Sequence, residues 1–436
     1  MNTEITHRRV LKIAVPIVLS NATVPILGAV DTGVVGQMGL AAPIGAVGIG
    51  AVILSTIYWI FGFLRMGTTG LAAQARGAGD TSETGALLMR GLMIGFAGGV
   101  IFILSQAFLF WGAFQLAPAS AEVEGLAWDY LSIRIWGAPA TIALYAITGW
   151  LIAMEKTTGV LILQLWMNGL NIALDIIFVL HLDWGVEGVA VATLIAEWTG
   201  LALGLWLCRD AFSGNQWRDW GRIFDRARLK RMLAVNADIM LRSVLLTVSF
   251  ASFLFLGSGL GDVTLAANQV LVQFIEITAF ALDGFAFSAE ALVGSAVGAG
   301  NRADVRRSAI VSSQWGVGGA FLLAAFFITT GPLLIDLMST APEVREAGRQ
   351  YLFWAALAPI IGITSWMFDG IYIGATWTRD MRQMMIISVI VYVVALITLL
   401  PLMGNHGLWA SLMIFYAARG VTLGMRYSKL EAQVGA

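Results

Sequence analysis

In the stretch LQLWMNGLNIALDIIFVL, residues 163–180, Asn168, Asn171 and Asp175 recur at i, i+3 and i+7. That spacing puts two amides and a carboxyl on one face of a helix. A second carboxyl, Asp31, stands in VPILGAVDTGVVGQMG, residues 24–39, a run that is otherwise almost wholly apolar. A charge at the bilayer centre costs roughly 2.5–3.5 kcal/mol on insertion scales, so acids inside apolar spans are functional candidates. Asp31 and Asp175 each sit a few residues before the outer ends of their segments. Thr193, on the segment that follows and runs back, reaches similar depth at about 1.5 Å per residue. Asp31, Asn171, Asp175 and Thr193 are therefore expected to meet in the outer part of the N-terminal half. Their oxygens are hard donors that suit Na⁺ or a relayed proton. Two close carboxylates disfavour mutual ionisation, and either cation relieves the repulsion. The plainer alternative is an inert polar cluster that ties helices together. Pro25 removes a backbone donor and frees the carbonyl of Asn21. Asp31 lies six residues beyond Pro25, which makes that proline a candidate hinge.

The C-terminal half carries different chemistry. Glu276, Asp283 and Glu290 repeat every seven residues, one helical stripe, with Gln273 beside them. Gln273, Glu276 and Asp283 are candidates for a surface that attracts cationic molecules. Phe274, Phe280 and Phe287 offer apolar area on the same segment, and Glu290 is close enough to the boundary to be interfacial. Arg65 lies about seven residues, roughly 10 Å, from the inner end of its segment. An arginine at that depth needs a partner or water. Asp283 and Asp369 lie toward the same side, so a pair between Arg65 and either acid is a candidate gate. The rival is a pair with Glu197 in its own half. Asp238 and Arg242 form an i, i+4 pair able to neutralise each other.

His7, His181 and His406 are too scattered for a metal centre, and Cys208 is the only cysteine. No nucleophile–base set or HExxH pattern stands in the apolar segments. No enzymatic activity, disulfide or redox chemistry is expected, and no cofactor apart from a coupling H⁺ or Na⁺.

Such residues need a scaffold that crosses a membrane many times. The 436 residues are 58% hydrophobic and only 12% charged, with mean hydropathy +0.81; about 25% charged is usual for soluble domains. The 49 glycines suit closely packed membrane helices. Spans of about 20 apolar residues fall at 10–35, 44–72, 85–112, 128–153, 158–181, 186–208, 232–257, 264–292, 307–331, 348–374, 382–402 and 406–425. The fold class is all-α and polytopic. Lys and Arg concentrate in one alternating set of loops, among them THRRVLK, MEKTT, GNRADVRR and RYSKLE. By the positive-inside rule that set and both termini are cytoplasmic. No cleavable signal is expected, because no small-residue cleavage site follows a short apolar core.

The chain also repeats itself. RGAGD (Arg76–Asp80) matches VGAGN (Val297–Asn301) at an offset of 221 residues. Glu122-Val123 with Glu343-Val344, Tyr130-Leu131 with Tyr351-Leu352, and Gly149 with Gly370 share that offset. An even number of crossings per copy gives two pseudo-symmetric six-helix lobes of the same orientation, an arrangement used by transporters. The expected division is residues 1–208, a cytoplasmic linker 209–231, and residues 232–436. Asp31 corresponds to Ser252, Asp283 to Gly62 and Asp369 to Thr148, so the halves are duplicated in fold and not in chemistry.

The stretches NADIMLRS, ALDGFAFSAEALVG, FGFLRMGTTGLAAQARGAGD and FDGIYIGAT resemble the DinF-type branch of the multidrug and toxic compound extrusion (MATE) family over essentially the whole chain. The resemblance implies twelve helices in two lobes around a central cleft. It also implies antiport of organic, often cationic, drugs against H⁺ or Na⁺ by alternating access. Its acid on the first helix matches Asp31, and its asparagine, aspartate and threonine on helices five and six match Asn171, Asp175 and Thr193. Other branches place a coupling acid on helix seven; LRSVLLTVSF has none there, although Asp369 resembles its helix-ten partner. Export of an organic-acid metabolite, or flipping of a lipid intermediate, are the alternative activities. The expected partners are small organic substrates and the lipid bilayer, with no nucleic acid. The expected setting is a bacterial cytoplasmic (inner) membrane, with the chain acting as a monomer.

Overall fold

A computed structural model of the chain describes residues 4–37, 40–116, 119–214 and 216–435. Met38-Gly39 and Ala117-Pro118, in the first two expected outer loops, lie outside the described residues. Among the described residues, twelve helices are long and apolar enough to cross a membrane: α1 His7–Gly36, α2 Ala41–Gly77, α3 Thr81–Gln115, α4 Ala121–Ala153, α5 Thr157–His181 and α6 Gly185–Leu207, then α7 Arg226–Ser258, α8 Asp262–Gly298, α9 Arg302–Met338, α10 Pro342–Gly374, α11 Thr378–Met403 and α12 Asn405–Glu431. Among the described residues there is no strand. The protein is an all-α integral membrane protein.

Most of these helices start several residues earlier than the hydropathy implies. Hydropathy reports where the oil begins; the helix begins where its first amides are capped. Asp80 Oδ1 accepts from the Glu83 amide at 3.0 Å, Asn301 Oδ1 from Asp304 at 3.1 Å, and Asp225 Oδ1 from Arg228 at 2.9 Å. Each such cap stabilises its helix by about 1 kcal/mol.

The internal repeat is written in the corners of the chain. The backbone turns to positive φ at Gly79 (73°) and Gly300 (66°), at Glu155 (57°) and Thr376 (54°), and at Asp183 (53°) and Gly404 (55°). Each pair is 221 residues apart. Helix crossings repeat as well. A Cβ on Gly149 would lie 2.3 Å from the Arg65 carbonyl oxygen, and one on Gly370 would lie 2.4 Å from that of Ala286.

Two compact units form, and they depart from the sequence halves. One comprises residues 1–18, 73–79 and 231–436; the other comprises 19–72 and 80–230. The 73–79 segment joins the first unit because its backbone touches α8: a Cβ on Gly77 would sit 1.8 Å from the Ser295 carbonyl oxygen. Gln74 Nε2 donates to the Gly374 carbonyl at 3.2 Å and to the Thr376 hydroxyl at 3.0 Å. Deeper in this unit, Phe253, Phe274, Phe327, Tyr392 and Trp409 form a buried core.

Residues 209–230 belong to the second unit as a folded element. Two 3₁₀ turns, Arg209–Phe212 and Gln216–Arg218, precede a short helix, Trp220–Ile223. Arg90, buried on α3, donates to the carbonyls of Ile223 at 2.8 Å and Arg222 at 2.7 Å, and pairs with Glu83 at 2.7 Å. Arg222 reaches both oxygens of Asp80 at 2.8 Å. Burial works to raise the Asp80 carboxyl, but the Glu83 amide, Arg222 and Arg228 outweigh it and hold it below the usual carboxylate range.

Candidate functional site

Three helices of one unit converge on a polar group. Asp31 comes from α1, Asn171 and Asp175 from α5, and Thr193 from α6. Asn171 and Asp175 are fully buried, at 1% and 0% exposure. In the amide orientation that satisfies both ends, Asn171 Nδ2 donates to Asp175 Oδ2 at 3.1 Å and to Asp31 Oδ1 at 3.2 Å. Its oxygen then accepts from the Thr193 amide at 3.2 Å and the Thr193 hydroxyl at 2.9 Å. Thr193 thus fixes which way the amide faces. Asp175 Oδ1 is buried with no hydrogen-bond partner among the described residues. A buried acceptor in that condition is costly unless a cation or proton reaches it. α5 changes to a π-helical turn, Ile176–His181, immediately after Asp175. Such turns often occur at functional sites.

The surrounding residues define what this group can do. Asn168, one turn before Asn171, donates to the Thr23 hydroxyl at 2.8 Å and accepts from Gln164 at 3.0 Å; it ties α5 to α1. Pro25 is exposed and lies inside the unbroken helical run of α1. Arg134 was not foreseen from the sequence. It ends the first segment of α4, before the 3₁₀ turn Ile135–Gly137, and pairs with Glu197 at 2.7 Å. Both side chains are at least nine-tenths buried. A Cβ on Gly137 would fall 2.0 Å from Glu197 Oε2, so the carboxylate occupies the room that glycine leaves. Arg134 also acts electrostatically on Asp31 and Asp175.

Glu197, the candidate partner of Arg65, is therefore held by Arg134. Arg65 is half-buried on α2, with its carbonyl accepting from the Thr69 hydroxyl at 2.9 Å.

In the other unit, Asp369 Oδ2 accepts from Arg242 Nη1 at 2.7 Å and Arg419 Nη2 at 2.5 Å. Asp238 meets Arg382 at 2.5 Å and the Thr378 hydroxyl at 3.1 Å. Asp238 and Arg242, spaced to neutralise each other, thus also have partners on other helices. Gln273 and Glu276 are exposed and Asp283 is half-buried. Phe274, expected to offer apolar surface to a substrate, instead packs edge-on against Phe327 with centroids 4.9 Å apart and is 1% exposed. Phe280 and Phe287 are half-buried. At the repeat positions of Asp31 and Asn171 stand Ser252 and Tyr392, whose hydroxyls lie 3.1 Å apart. The contact has been copied without the charge.

A buried acid–amide group on a twelve-span, internally duplicated helical scaffold is an arrangement that membrane transporters use. The MatE family profile matches residues 16–200 and 239–399. The chain is 36% identical over 425 residues to the DNA damage-inducible protein F of Escherichia coli (strain K12), covering 94% of this chain and 90% of that one. It is 24% identical to the chloroplastic Protein DETOXIFICATION 44 of Arabidopsis thaliana, over 94% and 80% of the two chains. Its fold matches the Vibrio cholerae MATE transporter VcmN in the bent form with a TM-score of 0.87 at 20% identity, covering 98% and 97%. The chain belongs to the MatE family of multidrug and toxic compound extrusion transporters, in its DinF-type branch.

Proposed function

We propose that this transporter exports organic, often cationic, compounds by alternating access, in exchange for H⁺ or Na⁺ taken up at Asp31, Asn171, Asp175 and Thr193. One observation carries the reading: Thr193 turns the Asn171 amide so that its nitrogen faces both carboxyls, while Asp175 Oδ1 stays buried and unmatched. A cation at that oxygen satisfies it and screens the Asp31–Asp175 repulsion; its departure restores both costs. A ligand that binds one conformation better shifts the population toward it, which is what coupling requires. Pro25, on the same helix as Asp31, is the proposed hinge, and Gln273, Glu276 and Asp283 are the proposed substrate contacts. The setting is a bacterial inner membrane with both termini inside, and the working unit is one chain. The test is substrate export from proteoliposomes with the Na⁺ and proton gradients imposed separately. Transport that follows neither gradient overturns the proposal.

An organic-acid substrate is the second reading. Arg242 and Arg419 bracket the single carboxylate of Asp369, and Arg419 keeps Nε and Nη1 buried without hydrogen-bond partners among the described residues. Such donors attract an anion rather than a cation. Competition by carboxylic acids in the same assay separates the two.

A further inference from the structure

The folded linker closes one side of an apolar groove that the transport chemistry does not use. Met89, Leu92, Met93 and Phe96 recur on one face of α3, and Leu205 near the end of α6 adds to them. Phe212 and Trp217 of the linker complete a cavity of about 610 Å³, within the roughly 300–1,000 Å³ range of small-molecule sites. The two rings meet edge to face at 5.8 Å. Among the described residues, no charged side chain lines the cavity.

Charge gathers at its rim. The Arg218 guanidinium lies 4.2 Å from the centre of the Trp217 ring. Arg209 lies 4.4 Å from that of Trp206 and begins the 3₁₀ turn that presents Phe212. Neither arginine makes an ion pair among the described residues. The nearby acids are otherwise engaged: Asp210 by Lys156, and Asp80 and Asp219 by Arg222. Trp206, Trp220 and Phe224 are more than half exposed, the aromatic pattern found where chains meet lipid headgroups.

We propose that this groove seats an acyl chain of an anionic phospholipid, with the phosphate held by Arg218 and Arg209. An apolar slot takes the chain, and two guanidinium groups stacked on tryptophans, neither in an ion pair among the described residues, take the charge; Arg209 Nη1 also donates to the Trp206 carbonyl at 3.2 Å. Basic side chains beside a span attract anionic lipid, and the planar guanidinium suits phosphate. The site is independent of the cation site.

The full chain, delipidated in detergent, is titrated with phosphatidylglycerol and with phosphatidylcholine of the same acyl chains, and retained lipid is counted by native mass spectrometry. The expected result is at least a tenfold preference for phosphatidylglycerol. The preference is lost in the double variant Arg209→Gln with Arg218→Gln, both at exposed positions. Met93→Trp, which fills the groove, reduces retention of that lipid while leaving the arginines in place. Equal retention of the two lipids, an unchanged preference in the double variant, or displacement of the lipid by inorganic phosphate alone would overturn the proposal.

Discussion

Thr193 and Glu197 stand one helical turn apart on the same face of α6, and each settles the orientation of a different buried group. The Thr193 hydroxyl lies 2.9 Å from the Asn171 amide, and Glu197 lies 2.7 Å from Arg134. One α6 face therefore supports both the acid–amide group and the buried Arg134.

Asp31→Asn and Asp175→Asn keep the shape of the site and remove a charge. Each is expected to abolish gradient-driven export in proteoliposomes while the protein still elutes as a folded species. Normal coupled transport by both variants would show that the coupling site lies elsewhere.

Thr193→Val conserves volume and removes the hydroxyl that sets the Asn171 amide. A lost hydrogen bond of about 0.5–1.5 kcal/mol predicts a roughly two- to twelvefold rise in the cation concentration for half-maximal transport. An unchanged value would mean that the Thr193 amide holds Asn171 alone.

Arg134→Leu leaves Glu197 buried without its partner. Breaking one side of such a pair costs about 3–5 kcal/mol, whereas replacing both sides with apolar groups is often neutral. Thermal unfolding in detergent should therefore show a large loss for Arg134→Leu and substantial recovery for Arg134→Leu with Glu197→Leu. Equal losses would assign Arg134 to packing instead.

Gly77→Ala places a Cβ where the Ser295 carbonyl oxygen already lies, at 1.8 Å. Backbone must move, and overpacking typically costs about 1–3 kcal/mol or more. Gly318→Ala, with nothing within 4 Å of its Cβ, is the matched control. Lower yield and thermal midpoint for the first, with the second unchanged, is the expected outcome.

The linker clamp should loosen in acid. Asp80 is held below its ordinary range in the folded chain, so its stabilisation is complete above the unfolded value of about 3.9 and fades as pH falls through the folded one. Protection from hydrogen exchange over residues 216–230, relative to the intrinsic rate at each pH, should fall below about pH 4, and Asp80→Asn should be less protected already at neutral pH. A protection pattern identical in that variant would rule out the Asp80–Arg222 contact as the clamp.

The twelve spans were legible because apolar length is a one-dimensional property. The repeat was legible too: a tight turn at Gly79 and Gly300 and a glycine crossing at Gly149 and Gly370 tolerate few residue types, and the Glu-Val and Tyr-Leu pairs recur at the same offset. The neighbours Asn171 and Asp175 follow from helical spacing, and Asp31 and Thr193 from depth. Arg134 was missed although it lies inside the apolar run 128–153 and met the same criterion as Arg65; its position near the span end hid it. Arg90, inside the run 85–112, escaped in the same way, and with it the reason that the linker folds. Phe274 was misplaced because a helical stripe cannot say which of its rings faces a neighbour. That depends on Phe327, 53 residues away.

The hydroxyl pair Ser252 and Tyr392 stands where Asp31 and Asn171 stand in the other half, so the proposed cation site has no charged copy at that repeat position. If that one site takes up a single monovalent cation per turnover, the proposed cycle carries one cation's worth of driving force. Each elementary charge moved through 100 mV supplies about 2.3 kcal/mol, or roughly a fiftyfold concentration ratio, when the cargo is neutral. When the cargo itself bears one positive charge, one-for-one exchange moves no net charge, and the voltage contributes nothing. Export of a monovalent cationic drug would then be driven by the ion's chemical gradient alone and be insensitive to collapse of the membrane potential.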